Sequence, residues 1–309
     1  MMTDIINELT VKNIVTEDQE ALVVFFDEDT NLHPCIVQKK DGSFLYSTSD
    51  LATIKYRKEV LHADKVIIIT DERQQDHFRQ VFKISEILGE GFDYDKVHVW
   101  FGIMRFKDGI FSSRKGNIIK LNDLLDEARQ KVRETVEEKN PSIPVEEKEL
   151  ISEVVGIGAI KYFDLSQNRT SPIIFEWEKV LSFEGNTGPY LQYTYARIKS
   201  IFRKLKEENI DYNKDSKIIL ESDIERDLAL ILLDFPNIVV KAAESYRPNL
   251  IADYLFETAR AFNTFYNSKS ILKEDNKDIM NSRITLSDKS AYILKMGLDL
   301  LGIKTVDRM

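Results

Sequence analysis

The chain has 309 residues, 43% hydrophobic and 31% charged, enough for two domains with real cores and unlike a disordered or fibrous protein. No apolar run reaches the roughly 18 residues that cross a bilayer, and the first twelve residues lack the apolar segment of a secretion signal, so a cytoplasmic protein with no membrane partner is expected. A formal net charge of -9 repels nucleic acid globally, which confines any such partner to local patches.

Ala21-Leu-Val-Val-Phe-Phe26 is a short apolar run bounded by acids. Cys35 to Gln38 and Ser43 to Tyr46 flank Asp41-Gly42, and an Asp-Gly pair between strand-like runs predicts a hairpin. Cys35, the single cysteine, excludes an internal disulfide and reads as a small buried hydrophobe. From Ser49 the period changes: Leu51, Ile54, Val60 and Leu61 suit a helix capped by Ser49 or Asp50. Lys65 to Thr70 predicts a strand, Gln74 to Leu88 a helix and Lys96 to Phe101 another strand. Helices alternating with β-branched runs predict βαβ units and a parallel sheet, whose ligand would lie at the carboxyl ends of its strands. The loops after Tyr46, Thr70 and Phe101 are therefore the ones to inspect.

Lys107-Asp-Gly109 predicts a turn, and Phe111 to Asn117 a polar, basic loop leading into a helix over Leu121 to Glu138. Asn140-Pro141-Ser-Ile-Pro144 is the clearest linker. Beyond it strand signals nearly vanish, and helices are predicted at about 145–162, 189–209, 222–246, 248–267 and 286–301, an α-bundle. The charge divides as well: residues 1–185 hold 24 basic and 34 acidic side chains, and 186–309 hold 19 and 18.

The bundle contains the stretch with the sharpest pattern. A Gly-rich loop feeds a helix from Pro189 on which Leu191, Tyr195, Ile198, Phe202 and Leu205 form an apolar stripe. Tyr190, Tyr193 and Arg197 recur on a neighbouring stripe. Between Asn186 and Lys206 there are five basic residues (Arg197, Lys199, Arg203, Lys204, Lys206) and no acidic one. Aromatic rings beside cations suit single-stranded nucleic acid, because bases stack on rings while phosphates meet cations. The same composition also suits a core helix with solvated lysines.

Two other constellations could carry chemistry. Tyr46, Asp50 and Gln74 each sit where a predicted strand end turns into a helix, so a hydroxyl, a carboxylate and an amide could converge on a small cationic ligand. Ser112-Ser-Arg-Lys115 offers hydroxyls and cations to a polyphosphate. No Walker loop, Gly-x-Gly-x-x-Gly or metal-ligand cluster is present, and His33, His62, His77 and His98 are scattered.

Taken in order, Asp41 to Ala52, Asp71 to Phe78, Ser113 to Asn117, Gly156-Ile-Gly-Ala-Ile-Lys-Tyr162, Ser182 to Tyr193 and Leu300-Leu-Gly-Ile303 with Asp307-Arg-Met309 resemble arginyl-tRNA synthetase from about Ala21 to the last residue. The resemblance implies an α/β plus all-α fold. Residues 1–140 would be a partial Rossmann catalytic domain with its ATP loop, a parallel sheet forming the second half of a class I catalytic domain. A helical connecting segment would cover 141–185 and a helical anticodon-binding domain 186–309. It implies an ATP-dependent arginine–tRNA ligase, a class I aminoacyl-tRNA synthetase, with L-arginine, arginine tRNA and ATP as ligands, Mg2+ accompanying ATP and no tightly bound cofactor. Carried over by position, Tyr46, Asp50 and Gln74 would hold arginine, and Ser112, Ser113, Arg114 and Lys115 would form a degenerate Lys-Met-Ser-Lys-Ser loop for ATP. Tyr190, Tyr193, Arg197, Tyr266 and Met309 would meet the tRNA.

Two departures stand out, and only the second bears on activity, because loose versions of the ATP loop are usual in the family that this sequence resembles. Signature lysine positions of the ATP loop are Ile110 and Ser113 here, and no histidine stands in a His-x-Gly-His segment. The chain thus resembles a carboxyl-terminal portion, expected to be inactive alone and to self-associate through its exposed half-sheet. A non-catalytic tRNA-binding or regulatory paralogue is the alternative; it would need only the helical half.

Overall fold

A computed structural model describes residues 1–106, 109–110 and 120–309, with side chains at 106, 109 and 110 left out. The chain divides into two compact units, Met1–Ile103 and Met104–Met309.

The first unit begins with α1 (Met2–Val11), whose Ile5, Ile6 and Leu9 are buried. Strands β1 (Thr16–Asp18), β2 (Ala21–Val24) and β3 (Cys35–Gln38) follow as an antiparallel meander, with Thr16 opposite Val23 and Val23 opposite Ile36. This corrects the sequence expectation for the early apolar runs, which form their own small sheet outside the parallel one. The Asp41-Gly42 turn also differs, giving a single bridge, Gln38 to Phe44, before the chain turns into α2 (Tyr46–Glu59). Two hydroxyls at the start of that helix explain the change: Ser47 donates to the carbonyl of Ile36 at 2.8 Å and Thr48 to that of Val37. Leu45 is the N-cap residue of α2, so Ser49 and Asp50 lie inside the helix and are not its caps.

The parallel unit predicted from periodicity is present. β4 (Lys65–Asp71), a 3₁₀ turn (Glu72–Gln74), α3 (Gln75–Leu88) and β5 (Asp95–Phe101) form one βαβ, with Ile67 opposite Val97 and Ile69 opposite Val99. Val81, Ile84 and Leu88 of α3 share a core with Leu9, Val37, Leu51, Ile54 and Phe92. On the strand itself Ile67 and Ile69 stay exposed, at 46% and 66%.

In the second unit β6 (Met104–Phe106) pairs antiparallel with β7 (Gly109–Ile110) and parallel with β8 (Ile173–Phe175). Around it run α4 (Leu121–Lys139), α5 (Val145–Leu165) and the short α6 (Trp177–Val180). The bundle proper is α7 (Gly188–Glu207), α8 (Asp223–Leu233), α9 (Phe235–Ser245), α10 (Asn249–Ser268) and α11 (Lys277–Leu300). The single helix expected over 222–246 is two, because Pro236 in the first turn of α9 has no N–H to continue α8. The last helix starts nine residues before its predicted start at 286, where the Asn276 side chain accepts from the backbone N–H groups of Asp278 and Ile279.

Glycines let α4, α5 and α7 approach closely. A Cβ on Gly156 would stand 2.9 Å from the α4 backbone at Ala128, and one on Gly188 would stand 3.0 Å from the carbonyl oxygen of Gly158. The bundle core gathers Leu191, Tyr195, Ile198, Leu228, Leu255, Phe262, Ile284 and Leu294. An ion pair is buried with it: Arg283 donates to buried Glu225 at 2.8 Å, and also to Glu274 at 2.6 Å. Among the described residues no helix is long and apolar enough to cross a membrane.

Candidate functional sites

In the first unit, α2 and the 3₁₀ turn that follows β4 carry the polar residues singled out above. Tyr46 is the first residue of α2 and is 84% exposed; Gln74 closes the 3₁₀ turn before α3 and is also exposed. Asp50 stands one turn into α2, and its Oδ2 lies 2.7 Å from Nε2 of His77 on α3. His77 sits edge-on to Phe78, with ring centres 4.9 Å apart, and Phe78 leans on His98 at 4.8 Å. His98 in turn reaches Thr70 Oγ1 at 2.8 Å, at the carboxyl end of β4. The carboxylate is therefore oriented from one side by an imidazole, and its other oxygen remains suited to a planar guanidinium.

His77 is the residue sequence reading passed over, as one scattered histidine among four. Its link to Asp50 joins different helices, so spacing alone did not announce it. Ser112, Ser113, Arg114 and Lys115 lie outside the described residues. Among the described residues no group of three or more His, Cys, Asp or Glu could hold a metal ion.

In the second unit Thr187 is the N-cap residue of α7: its Oγ1 accepts from the N–H of Tyr190 and donates to the carbonyl of Ser182. Pro189 occupies the first turn. Leu191, Tyr195, Ile198 and Leu205 are buried and Phe202 is half-buried, so the apolar stripe is the core face. The neighbouring stripe carries a stack. The Arg197 guanidinium lies 4.9 Å from the ring centre of Tyr193 and 5.6 Å from that of Tyr266 on α10. Phe183, in the preceding loop, meets Tyr193 edge to face at 6.4 Å.

Behind the stack lies Asn263 of α10. Its Oδ1 accepts from Arg197 Nη1 at 2.5 Å, and its Nδ2 donates to Tyr190 Oη at 2.9 Å and Thr194 Oγ1 at 3.1 Å. Tyr190, Tyr193, Arg197 and Tyr266 thus belong to one network. Met309 packs instead against an apolar cluster that includes Val132, Ile151 and Val306.

The basic run on α7 is only partly free. The carboxyl-terminal tail lies along it, with Asp307 Oδ2 3.8 Å from Lys199, Asp307 Oδ1 accepting from Tyr195 Oη at 3.3 Å, and the Asp307 carbonyl accepting from Arg203. Burial, and then the charge of Asp307, raises the Tyr195 phenol above its ordinary range, so it stays a neutral donor. Lys204 and Lys206 are exposed.

The family model described as tRNA synthetases class I (R), catalytic domain, matches residues 1–177, and that of the DALR anticodon binding domain matches residues 191–309. The arginine–tRNA ligase of Fusobacterium nucleatum subsp. nucleatum is 55% identical over 309 residues, covering 100% of this chain and 54% of that protein. The ligase of an Enterobacter species is 44% identical over 319 residues, with the same 54% of its length covered. Among solved structures, arginyl-tRNA synthetase of Thermus thermophilus superposes with a TM-score of 0.86 at 24% identity, over 100% of this chain and 58% of that one. The Plasmodium falciparum arginyl-tRNA synthetase gives 0.82 at 27% identity, over 100% and 52%. The chain spans about half the length of the curated relatives it matches.

Proposed function

The chain belongs to the class I tRNA synthetase (R) family, with a DALR anticodon binding domain following the catalytic one, and on that premise we propose that these residues form the arginine-facing half-site and the tRNA-reading domain of an arginine–tRNA ligase. The observation that carries the reading is the guanidinium of Arg197 over the rings of Tyr193 and Tyr266, on a half-buried stripe of α7 beside its core face and against α10. A guanidinium over rings offers stacking surfaces and positive charge together, which is what unpaired bases and their phosphates require.

In the first unit Asp50, oriented by His77, receives the cationic group of L-arginine, with Tyr46 and Gln74 as its neighbours at the element starts. Ser112, Ser113, Arg114 and Lys115 meet the phosphates of ATP, and Mg2+ arrives on those phosphates. Residues 1–140 serve as the catalytic part, 141–185 as the connection and 186–309 as the anticodon-binding part, in the cytoplasm. The 309 residues contain no His-x-Gly-His segment, so this chain alone activates arginine at a negligible rate. Tyr266 and Met309 are assigned to the anticodon along with the α7 stripe.

The test has two arms. Filter binding with arginine tRNA against a non-cognate tRNA is expected to show preference for the former; equal affinity for both overturns the tRNA-reading role. Arginine-dependent ATP–pyrophosphate exchange by the chain alone is expected to be absent, and turnover there overturns the half-site reading. Exposed Ile67 and Ile69 on a parallel strand support self-association. Light scattering checks it, and a monodisperse monomer counts against it.

A further inference from the structure

We infer that Asn263 is a positioning residue for RNA capture, one that holds the guanidinium of Arg197 and, by donating to the hydroxyl of Tyr190, leaves that hydroxyl's own proton free to be donated to a ligand. The inference rests on the tRNA-reading role proposed above and assigns a task to a residue that makes no part of the aromatic stripe itself.

The amide's direction follows from its neighbours. Thr194 Oγ1 donates its one proton to the carbonyl of Tyr190, one turn back on α7, at 2.9 Å. Its approach to Asn263 at 3.1 Å must therefore be as an acceptor, which requires the amide nitrogen on that side. The amide oxygen is then left for Arg197, which has only donors to give. The second amide hydrogen goes to Tyr190 Oη at 2.9 Å. Because that hydroxyl accepts from Asn263, its own proton is available to an acceptor such as a phosphate oxygen or a base carbonyl.

One buried choice, the hydroxyl of Thr194, thus sets the polarity of everything in front of it. Arg197 is held by the hydrogen bond to Asn263 and lies over the rings of Tyr193 and Tyr266 before any RNA arrives. Pre-organisation of this kind lowers the ordering cost of binding. The chemistry favoured by the site is an unpaired, phosphate-bearing strand that offers acceptors to Tyr190.

Two variants separate positioning from bulk. N263A removes the tether while Arg197 keeps its charge and Tyr190 its free proton. N263D keeps the shape but accepts only, so it pairs with Arg197 and draws the Tyr190 proton inward. Filter binding of arginine tRNA across a salt series should show a loss of about fivefold for N263A with an unchanged slope. N263D should lose more than N263A, with a log–log salt slope shallower by about one, the signature of one neutralised cation. Equal losses and equal slopes for the two variants overturn the inference. Y190F removes only the donor and should weaken capture several-fold, with little further loss when combined with N263D. Should circular dichroism show N263D unfolded, Y190F decides by itself, and an unchanged affinity there overturns the inference. A wild-type chain that does not prefer arginine tRNA removes the underlying reading and this inference with it, whereas a selective wild-type with silent variants removes only the inference.

Discussion

The two candidate sites differ in how much of their chemistry is already satisfied. Around Arg197 the described hydrogen bonds close on themselves: α7 supplies Tyr190, Thr194 and Arg197, α10 supplies Asn263 and Tyr266, and each amide group of Asn263 has a partner. Around Asp50 a single imidazole contact orients the carboxylate, while Tyr46 and Gln74 stand exposed. The first arrangement is a rigid surface built by two long packed helices and suits a large partner that docks on it. The second is a set of side chains at element starts around one βαβ unit, which a small ligand would have to order.

If rigidity in the second unit comes from its packed core, the largest effect should follow from its buried charge. Arg283→Met leaves Glu225, which is fully buried, without its cation, and should cost about 3 kcal/mol. Urea titration followed by hydrogen exchange in α8 and α11 checks this; an unchanged midpoint would mean that the core does not depend on the pair. Acid probes the same contact. Burial opposes the charged form of Glu225, but hydrogen bonds from Arg283, Ser222 and the Glu221 N–H outweigh it and hold the carboxyl below its ordinary value. A depressed carboxyl stabilises the fold above its unfolded value and loses that contribution as pH falls through the folded one. The urea midpoint should therefore hold from neutral pH down to about 5 and then drop, less steeply in Glu225→Gln.

The RNA surface is sharpened by charge reversal. Arg197→Glu should weaken arginine-tRNA capture by about tenfold, roughly 1.4 kcal/mol, while Lys273→Glu, in the exposed turn between α10 and α11, should change it little. Equal losses in a salt-controlled assay would assign capture to the general field and erase the contrast between the two sites.

The first unit has its own ion cluster, Glu8 with Lys12 at 2.9 Å and Lys55 at 2.6 Å, tying α1 to α2. These groups are partly exposed, so Glu8→Gln should cost no more than about 1 kcal/mol, measured by urea titration. A loss as large as that of Arg283→Met would show that this partly exposed cluster holds its unit as strongly as the buried pair holds the other. The smallest effect concerns the carboxylate's orientation. His77→Gln should lower arginine affinity a few-fold by calorimetry and Asp50→Asn by more, because one reorients the acceptor and the other discards its charge. Losses in the reverse order would break the assignment of Asp50.

Period and punctuation made much of the fold readable. Continuous β-branched runs over Lys65 to Thr70 and Lys96 to Phe101 gave β4 and β5, and the 3.6-residue stripe of Leu191, Tyr195, Ile198 and Leu205 gave the core face of α7. α1 was passed over although Ile5, Ile6 and Leu9 already form a helical stripe. β8 is three residues long, too short for a period to register.

By itself the sequence determined where most of the longer helices lie, that a parallel strand pair precedes a bundle, and that an aromatic, basic stripe sits beside an apolar one on α7. Those properties are local, fixed by spacing along one helix or strand. The tertiary structure decided the rest: that His77 meets Asp50, that Tyr266 and Asn263 come from α10 to clasp Arg197, and that the tail claims Lys199 and Arg203 through Asp307. The physical reason is that each of these contacts joins residues from 27 to more than 100 positions apart, whose directions are set by the packing of whole helices.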